Sequence, residues 1–347
     1  MPAATGRAFG LGAVAALILW STGCDYIEKF TGGEADLTAA SAALQGGNLP
    51  AAADEYSKVA AENPDSVDAA VGLAYTQLLS ADYAGADATL AAIAPKAGEK
   101  AAEITLRRAL VALRARNLDD VKRYGKESGL PEGKLLAAEV HLVDLESDEA
   151  SALFRELSGG SGAVATTAQT YLKMLESENQ HLAGLAEATA LWALGDREQA
   201  VQSAEELVRE LPGDYEQKSE LLMVWASRAA TSGKPAIANT LLDDLEFPPE
   251  GQAWRVEATR AIAAVAAGEG DVAVQKFEQL RAAGAPPAGL ADALATACSV
   301  ATDPELAKRL ADGVESAAAA RCLAKVGSPD AVGRAPAGPL KTFLENP

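Results

Sequence analysis

Apolar positions recur along most of this chain at the spacing of a helix with one buried face, and β-branched runs of strand period are almost absent. Read this way, helix pairs fall over 35–64, 67–94, 102–128, 133–158, 181–211, 217–247 and 253–283, with a surplus helix near 163–178. The turns carry a second pattern. In GNLPAAADEYSKVAAENP (47–64) and ADYAGADATLAAIAP (81–95) a small residue precedes Asn48 or Asp82, and an alanine, Ala52 or Ala86, follows on the next helix. These two alanines are 34 residues apart, and Ala200, Ala238 and Ala273 of GDREQAVQSAEELVRELP (195–212), GKPAIANTLLDDLEFP (233–248) and GEGDVAVQKFEQL (268–280) are spaced by 38 and 35.

Each position has a physical task. Gly, Asn or Asp ends one helix in a left-handed conformation, and Asp or a nearby Pro starts the next. The alanine lets the second helix approach the first closely. Tyr56, Leu90, Leu242 and Phe277, four residues further on, share its face and fill the space between helices. Pro64, Pro95, Pro212 and Pro248 close the second helix because proline cannot continue its hydrogen-bond ladder. The register weakens over 102–158, where Val121 stands in place of the alanine and Gly125 in place of the large residue.

From Leu37 to Leu280 the pattern resembles a tetratricopeptide-repeat array, with degenerate helices continuing to about Leu323. The resemblance implies an all-α fold, a right-handed helical-hairpin solenoid following an N-terminal signal segment. The expected layout is a signal over 1–23, a lipidated cysteine and tether over 24–34, repeats over 35–160 and 161–325, and a Pro/Gly-rich tail over 326–347. Such arrays present the first helix of each pair along a concave surface on which a peptide lies. The positions carried over by the resemblance are Tyr75, Leu78, Leu110, Arg114, Trp192, Met223, Ser227, Arg255 and Ile262. Trp192 and Met223 would be adaptable apolar anchors, and Arg114 and Arg255 would take a partner's carboxylates. Inter-repeat packing is the competing role for each of the nine.

The N-terminus reads as an address. Arg7 precedes an apolar stretch from Ala8 to Trp20, which fits the core of a secretory signal, and Ser21, Thr22 and Gly23 lead into Cys24. Thr22, Gly23 and Cys24 resemble a bacterial lipobox, with Ser21 where leucine is usual. The resemblance implies a diacylglyceryl Cys24 as the new N-terminus and a membrane-anchored protein of the bacterial envelope facing the periplasm, with inner and outer membrane both open. An uncleaved anchor is disfavoured because the stretch is shorter than the ~20 residues a spanning helix needs. Tyr26, Ile27 and Phe30 of the tether give one apolar face, to rest on the bilayer or on the array.

Composition narrows the chemistry. A net charge of −19 lacks the basic stripe that nucleic acid requires and leaves membrane attachment to the anchor. The chain has two histidines, His141 and His181, in different helix pairs, and no HExxH or CxxC pattern. His141 reads as a hydrogen-bonded helix residue and His181 as exposed. DLESDE (144–149) begins like a calcium loop, but Glu149 and Arg155 stand where glycine and glutamate are required. Glu205, Glu206 and Glu210 read as a solvated helix face. No cofactor and no metal is expected, and an enzyme is disfavoured. Cys298 and Cys322, 24 residues apart, are either bridged in an oxidising compartment or buried and reduced. The function that follows is a lipid-anchored scaffold for an envelope protein or peptide, the alternative being an envelope glycan- or ligand-binding lipoprotein.

Overall fold

The computed structural model describes residues 36–246, 248, 251–311 and 322–323. Every regular element among them is helical, seventeen α-helices and two short 3₁₀ turns. The helices form two compact units divided between Asp196 and Arg197. This boundary lies well beyond the 160/161 division expected from the repeats. The reason is that the two helices following 160 pack back onto the hairpin before them rather than opening a new unit.

The first unit contains α1 (Thr38–Gln45), α2 (Leu49–Glu62), α3 (Val67–Leu79), α4 (Tyr83–Ile93), α5 (Ala101–Arg114), α6 (Leu118–Glu127), α7 (Pro131–Val143), α8 (Ser147–Ser158), α9 (Gly162–Leu175) and α10 (Gln180–Ala193). Consecutive helices pack as neighbours from α1 through α10, and α10 also lies against α7. The second unit contains α11 (Arg197–Arg209), α12 (Lys218–Thr231), α13 (Pro235–Asp243), α14 (Ala253–Ala266), α15 (Gly270–Ala282), α16 (Pro287–Val300) and α17 (Pro304–Ala311). Here α12/α13 and α14/α15 are hairpins, and α12, α14 and α16 stack side by side. Each unit is thus a stack of helical hairpins in the manner of a solenoid.

The repeat is stricter in three dimensions than in the letters. Each second-helix position 52, 86, 121, 150, 200, 238 and 273 is matched twelve residues earlier by Ala40, Ala74, Ala109, Ala138, Ala188, Ala226 or Ala261, and all fourteen side chains are buried. An alanine methyl group, present at all of them but Val121, leaves room for close helix packing while still removing apolar surface from water. Seven residues after each first alanine the backbone turns left-handed, at Gly47, Ala81, Arg116, Leu145, Gly195, Gly233 and Gly268, with φ between 58° and 87°. The next N–H then reaches back five residues to a carbonyl: Asn48 to Ala43, Asp82 to Gln77, Asn117 to Ala112, Glu146 to His141, Lys234 to Ala229 and Glu269 to Ala264. This closure satisfies carbonyls that the end of a helix would otherwise leave without donors. Side-chain caps at Asn48, Asp82 and Asn117 then open the second helix.

The weak stretch over 102–158 has its own solution. Val121 is fully buried where the other repeats carry alanine, and Tyr124, one position early, supplies the missing bulk. Its ring lies beneath two guanidinium groups, Arg108 at 4.0 Å and Arg123 at 4.5 Å, and Arg108 also pairs with Asp87 at 2.7 Å. Gly125 faces Gly133 of α7 so closely that a methyl group on Gly125 would lie 2.5 Å from the Gly133 carbonyl oxygen. The absent side chain is therefore the contact between α6 and α7.

Candidate partner-binding surfaces

In the first unit, Tyr75 and Leu78 are half-buried on α3, and Leu78 packs against the core formed by Ala74, Leu90 and Ile104. Leu110 on α5 is half-buried against the cluster of Ala109, Tyr124 and Val140. Arg114 is exposed in the last turn of α5, where the helix dipole favours a cation. Trp192 is half-buried near the end of α10.

The second unit corrects part of the expectation. Met223 and Ile262 are each only 4% exposed and belong to the core, so neither is a groove anchor. Their helices are packed on several sides, α12 by α11, α13, α14 and α16, and α14 by α12, α13, α15 and α16. An apolar side chain in such a position is drawn inward. Ser227 is half-buried, and Arg255 is half-buried with its guanidinium donating to the Gln252 side chain. The nine expected positions thus fall in separate units, Tyr75, Leu78, Leu110, Arg114 and Trp192 in one and Met223, Ser227, Arg255 and Ile262 in the other. Trp225 is 1% exposed with the Arg228 guanidinium 4.3 Å from its ring, and the Trp254 ring lies directly over Gly289. Neither offers an open aromatic platform of the kind sugars stack upon.

The second unit also holds an open hollow of about 870 Å³, lined by Gln202, Glu205, Glu206, Arg209 and Glu210 of the α11 end, Lys218 of α12, Asp243 at the end of α13, and Asp244 and Glu246 just after it. The carboxylates read as a solvated helix face are one wall of this concavity. Its cations are committed to structure. Lys218 donates to the carbonyls of Arg209 and Leu211, closing the end of α11. Arg209 Nε lies 2.6 Å from Asp244, a bond that raises the guanidinium's pKa further. The hollow therefore presents net negative charge.

Polar chemistry in the first unit gathers on α7. His141 is buried, its Nδ1 bonded to Glu146 and its Nε2 without a hydrogen-bond partner. Glu146 also accepts from Lys122, as does Asp144 at 2.7 Å. The His141 bond, and then Lys122, hold the Glu146 carboxyl below its usual range. The DLESDE carboxylates thus fix the α7–α8 turn. On the same helix Glu139 is fully buried and accepts from the Tyr171 hydroxyl of α9 at 3.1 Å. Burial pushes its pKa up to about 8, against the opposing pull of the Tyr171 bond. His181 is half-buried at the start of α10, not exposed as expected.

Cys298 of α16 and Cys322 are joined, with an S–S distance of 2.04 Å and both side chains buried. Cys24, the signal over 1–23, the tether and the tail over 326–347 lie outside the described residues. Among the described residues no helix is long and apolar enough to cross a membrane, and no group of three or more His, Cys, Asp and Glu side chains could hold a metal ion.

No family model and no curated protein matches the chain. Among solved structures it is similar to a tetratricopeptide repeat protein from Parabacteroides merdae ATCC 43184, with 14% identity and a TM-score of 0.34, covering 75% of this chain and 96% of that one. At those values the likeness carries no argument. The hairpin stacks rest on the repeated register and turn geometry alone.

Sequence alone did not disclose three of these features. The first-helix alanines are lost against an alanine-rich background. The Glu139–Tyr171 contact joins residues 32 apart, one of them on the helix that interrupts the repeat. The hollow forms where the ends of α11 and α13 converge, and only its charge is visible in the letters.

Proposed function

We propose that this chain is a lipid-anchored scaffold of the bacterial envelope, tetratricopeptide-like in its repeats, which holds a protein or peptide partner without catalysing a reaction. The observation that carries the reading is the hairpin stack itself. A strictly repeated backbone leaves first-helix side chains such as Tyr75, Leu110 and Arg114 partly or wholly exposed in one unit and an open acidic hollow in the other. Repetition of this kind builds extended surface for recognition. The chain's negative charge favours a partner that brings basic residues, with an association rate that falls as salt rises.

The address comes from the N-terminal residues. A Cys24 bearing two or more acyl groups would anchor stably, where one chain gives only marginal attachment. The test has two arms. Intact-mass measurement of protein from detergent-solubilised membranes should show loss of residues 1–23 and gain of a diacylglyceryl group, and Cys24→Ala should release the chain to the soluble fraction. Crosslinking in cells followed by mass spectrometry should recover one dominant envelope protein, and Leu110→Ala with Tyr75→Ala should deplete it. An unlipidated, soluble mature chain would remove the anchor from the proposal. Recovery of the same proteins with and without the substitutions would remove the surface.

A further inference from the structure

Helix α9 is the element the repeat does not call for. It stands between the α7–α8 hairpin and α10, and it packs chiefly on α8, where Tyr171 stacks on Phe154 with ring centroids 4.5 Å apart. Its link to α7 runs through the same ring, whose hydroxyl donates to Glu139. Glu139 lies six residues before the left-handed turn residue Leu145. That register is filled by Ser41, Tyr75, Leu110, Thr189, Ser227 and Ile262 in the other first helices, none of them ionisable in the neutral range. A carboxyl group alone occupies it on α7, a helix whose residues from Leu135 to Leu142 are all buried.

We propose that Glu139 and Tyr171 form a proton-dependent latch: the neutral Glu139 carboxyl keeps α9 seated on α7, and loss of its proton loosens α9 from the first unit. The latch belongs to the fold and does not depend on the identity of any partner. A carboxylate in an apolar core must find a compensating charge or leave for water. Among the described residues no cation supplies that charge. The forces acting on Glu139 are burial and the Tyr171 hydroxyl, and no charged side chain of α5, α6, α8, α9 or α10 enters the balance. On α7 itself His141 turns to Glu146, and Lys122 of α6 is held by Asp144 and Glu146. One hydroxyl donor cannot replace the hydration shell of a carboxylate, so ionisation and exposure are coupled. Tyr171 is itself buried and holds the group by its hydroxyl, so exposure of the carboxyl breaks the bond that seats α9 on α7.

The test is hydrogen–deuterium exchange of the full chain, corrected for intrinsic exchange rates, at pH 6.5 and pH 9.5. Protection over 162–175 should fall by at least tenfold more than protection over α3 and α4. Glu139→Gln should abolish this excess, since a neutral amide keeps the shape and the Tyr171 bond without a proton to lose. Tyr171→Phe should keep the step but move it to higher pH, because the bond it removes favours the charged form. If Glu139→Gln fails to fold, the ¹³C carboxyl shift of Glu139 in the unaltered protein decides instead. Titration near pH 8 together with broadening of the α9 resonances supports the latch. Titration in the ordinary carboxylate range, or an α9 protection that follows α3 and α4 across the pH range, overturns it.

Discussion

Replacing Gly125 by alanine tests whether the α6–α7 crossing depends on the absence of a side chain. The added methyl carbon would lie 2.5 Å from the Gly133 carbonyl oxygen and 3.2 Å from the Ala137 methyl group. The nearest atom is helix backbone, which cannot swing aside as the tip of a flexible side chain can. Separating α6 from α7 by roughly 1 Å would restore ordinary contact, at the overpacking cost of about 1–3 kcal/mol. Alanine recovers about 1 kcal/mol of helix propensity over glycine, so the gain offsets only part of the loss. The separation would also loosen Tyr124, which is clustered with Leu136 and Val140 of α7. A net loss of about 1–2 kcal/mol is expected. Gly159→Ala serves as the control, because the only atom near its added methyl group is the Glu156 carbonyl oxygen at 3.8 Å, an ordinary contact. Native-state hydrogen exchange of α6 and α7 peptides reads the opening free energy of this region without interference from the second unit. If Gly125→Ala leaves that free energy within about 0.5 kcal/mol of the parent chain, a margin typical of innocuous surface substitutions, the glycine contact does not hold the crossing.

Further outcomes follow from the turns, the buried carboxyl and the disulfide. Leu145, with φ of 62°, occupies the position that four other repeats give to glycine, so Leu145→Gly should stabilise the first unit. The gain, set by relief of left-handed strain less the entropy glycine adds to the unfolded chain, is about 0.5–1 kcal/mol and is readable as a raised Tm. Because the folded-state pKa of Glu139 is raised to about 8, the native chain keeps a proton that the unfolded chain loses near 4.5. Stability should therefore decline as pH rises from about 4.5 to 8, by about 3–5 kcal/mol if the group stays buried. Melting curves of Glu139→Gln beside the parent chain at pH 5 and pH 8 check this, and parallel curves for the two proteins would contradict it. Reducing the Cys298–Cys322 bridge, which closes a 24-residue separation, should lower the stability of α16 and α17 by about 3 kcal/mol. Limited proteolysis with and without reductant should then cut first beyond α15, and identical patterns would argue against that role.

How much of this was legible in the letters depends on how local each signal is. The second-helix alanines, the Asn and Asp caps and the closing prolines act within a few residues, so spacing alone located the hairpins. Ala81, Arg116 and Leu145 hide the same turn, because a left-handed backbone leaves no mark when a side chain other than glycine accepts the strain. The first-helix alanines repeat as strictly as the second, yet alanine is too common here to be noticed without burial. The break at 102–158 looked like degeneration and is a substitution of one packing device by another, with Tyr124 and Gly125 exchanging roles. Partner-facing positions carried over by register were less secure. Register gives the direction of a side chain but not the neighbours around it, and Met223 and Ile262 are covered by helices that the repeat does not specify. The division after Asp196 likewise depends on α9 and α10 folding back on α7 and α8, a long-range choice absent from any local window.

The central claim is that, in the first unit, first-helix faces of the hairpin stack receive a protein partner while the exposed second-helix positions meet solvent. A photo-crosslinking amino acid placed singly at Tyr75, Leu110, Lys58 or Lys126 of the full chain in living cells tests it most directly. The account predicts one saturable protein adduct, of the same mass from Tyr75 and Leu110, and none from the exposed second-helix positions Lys58 and Lys126. Adducts of equal yield from all four positions, or from Lys58 and Lys126 alone, would contradict it.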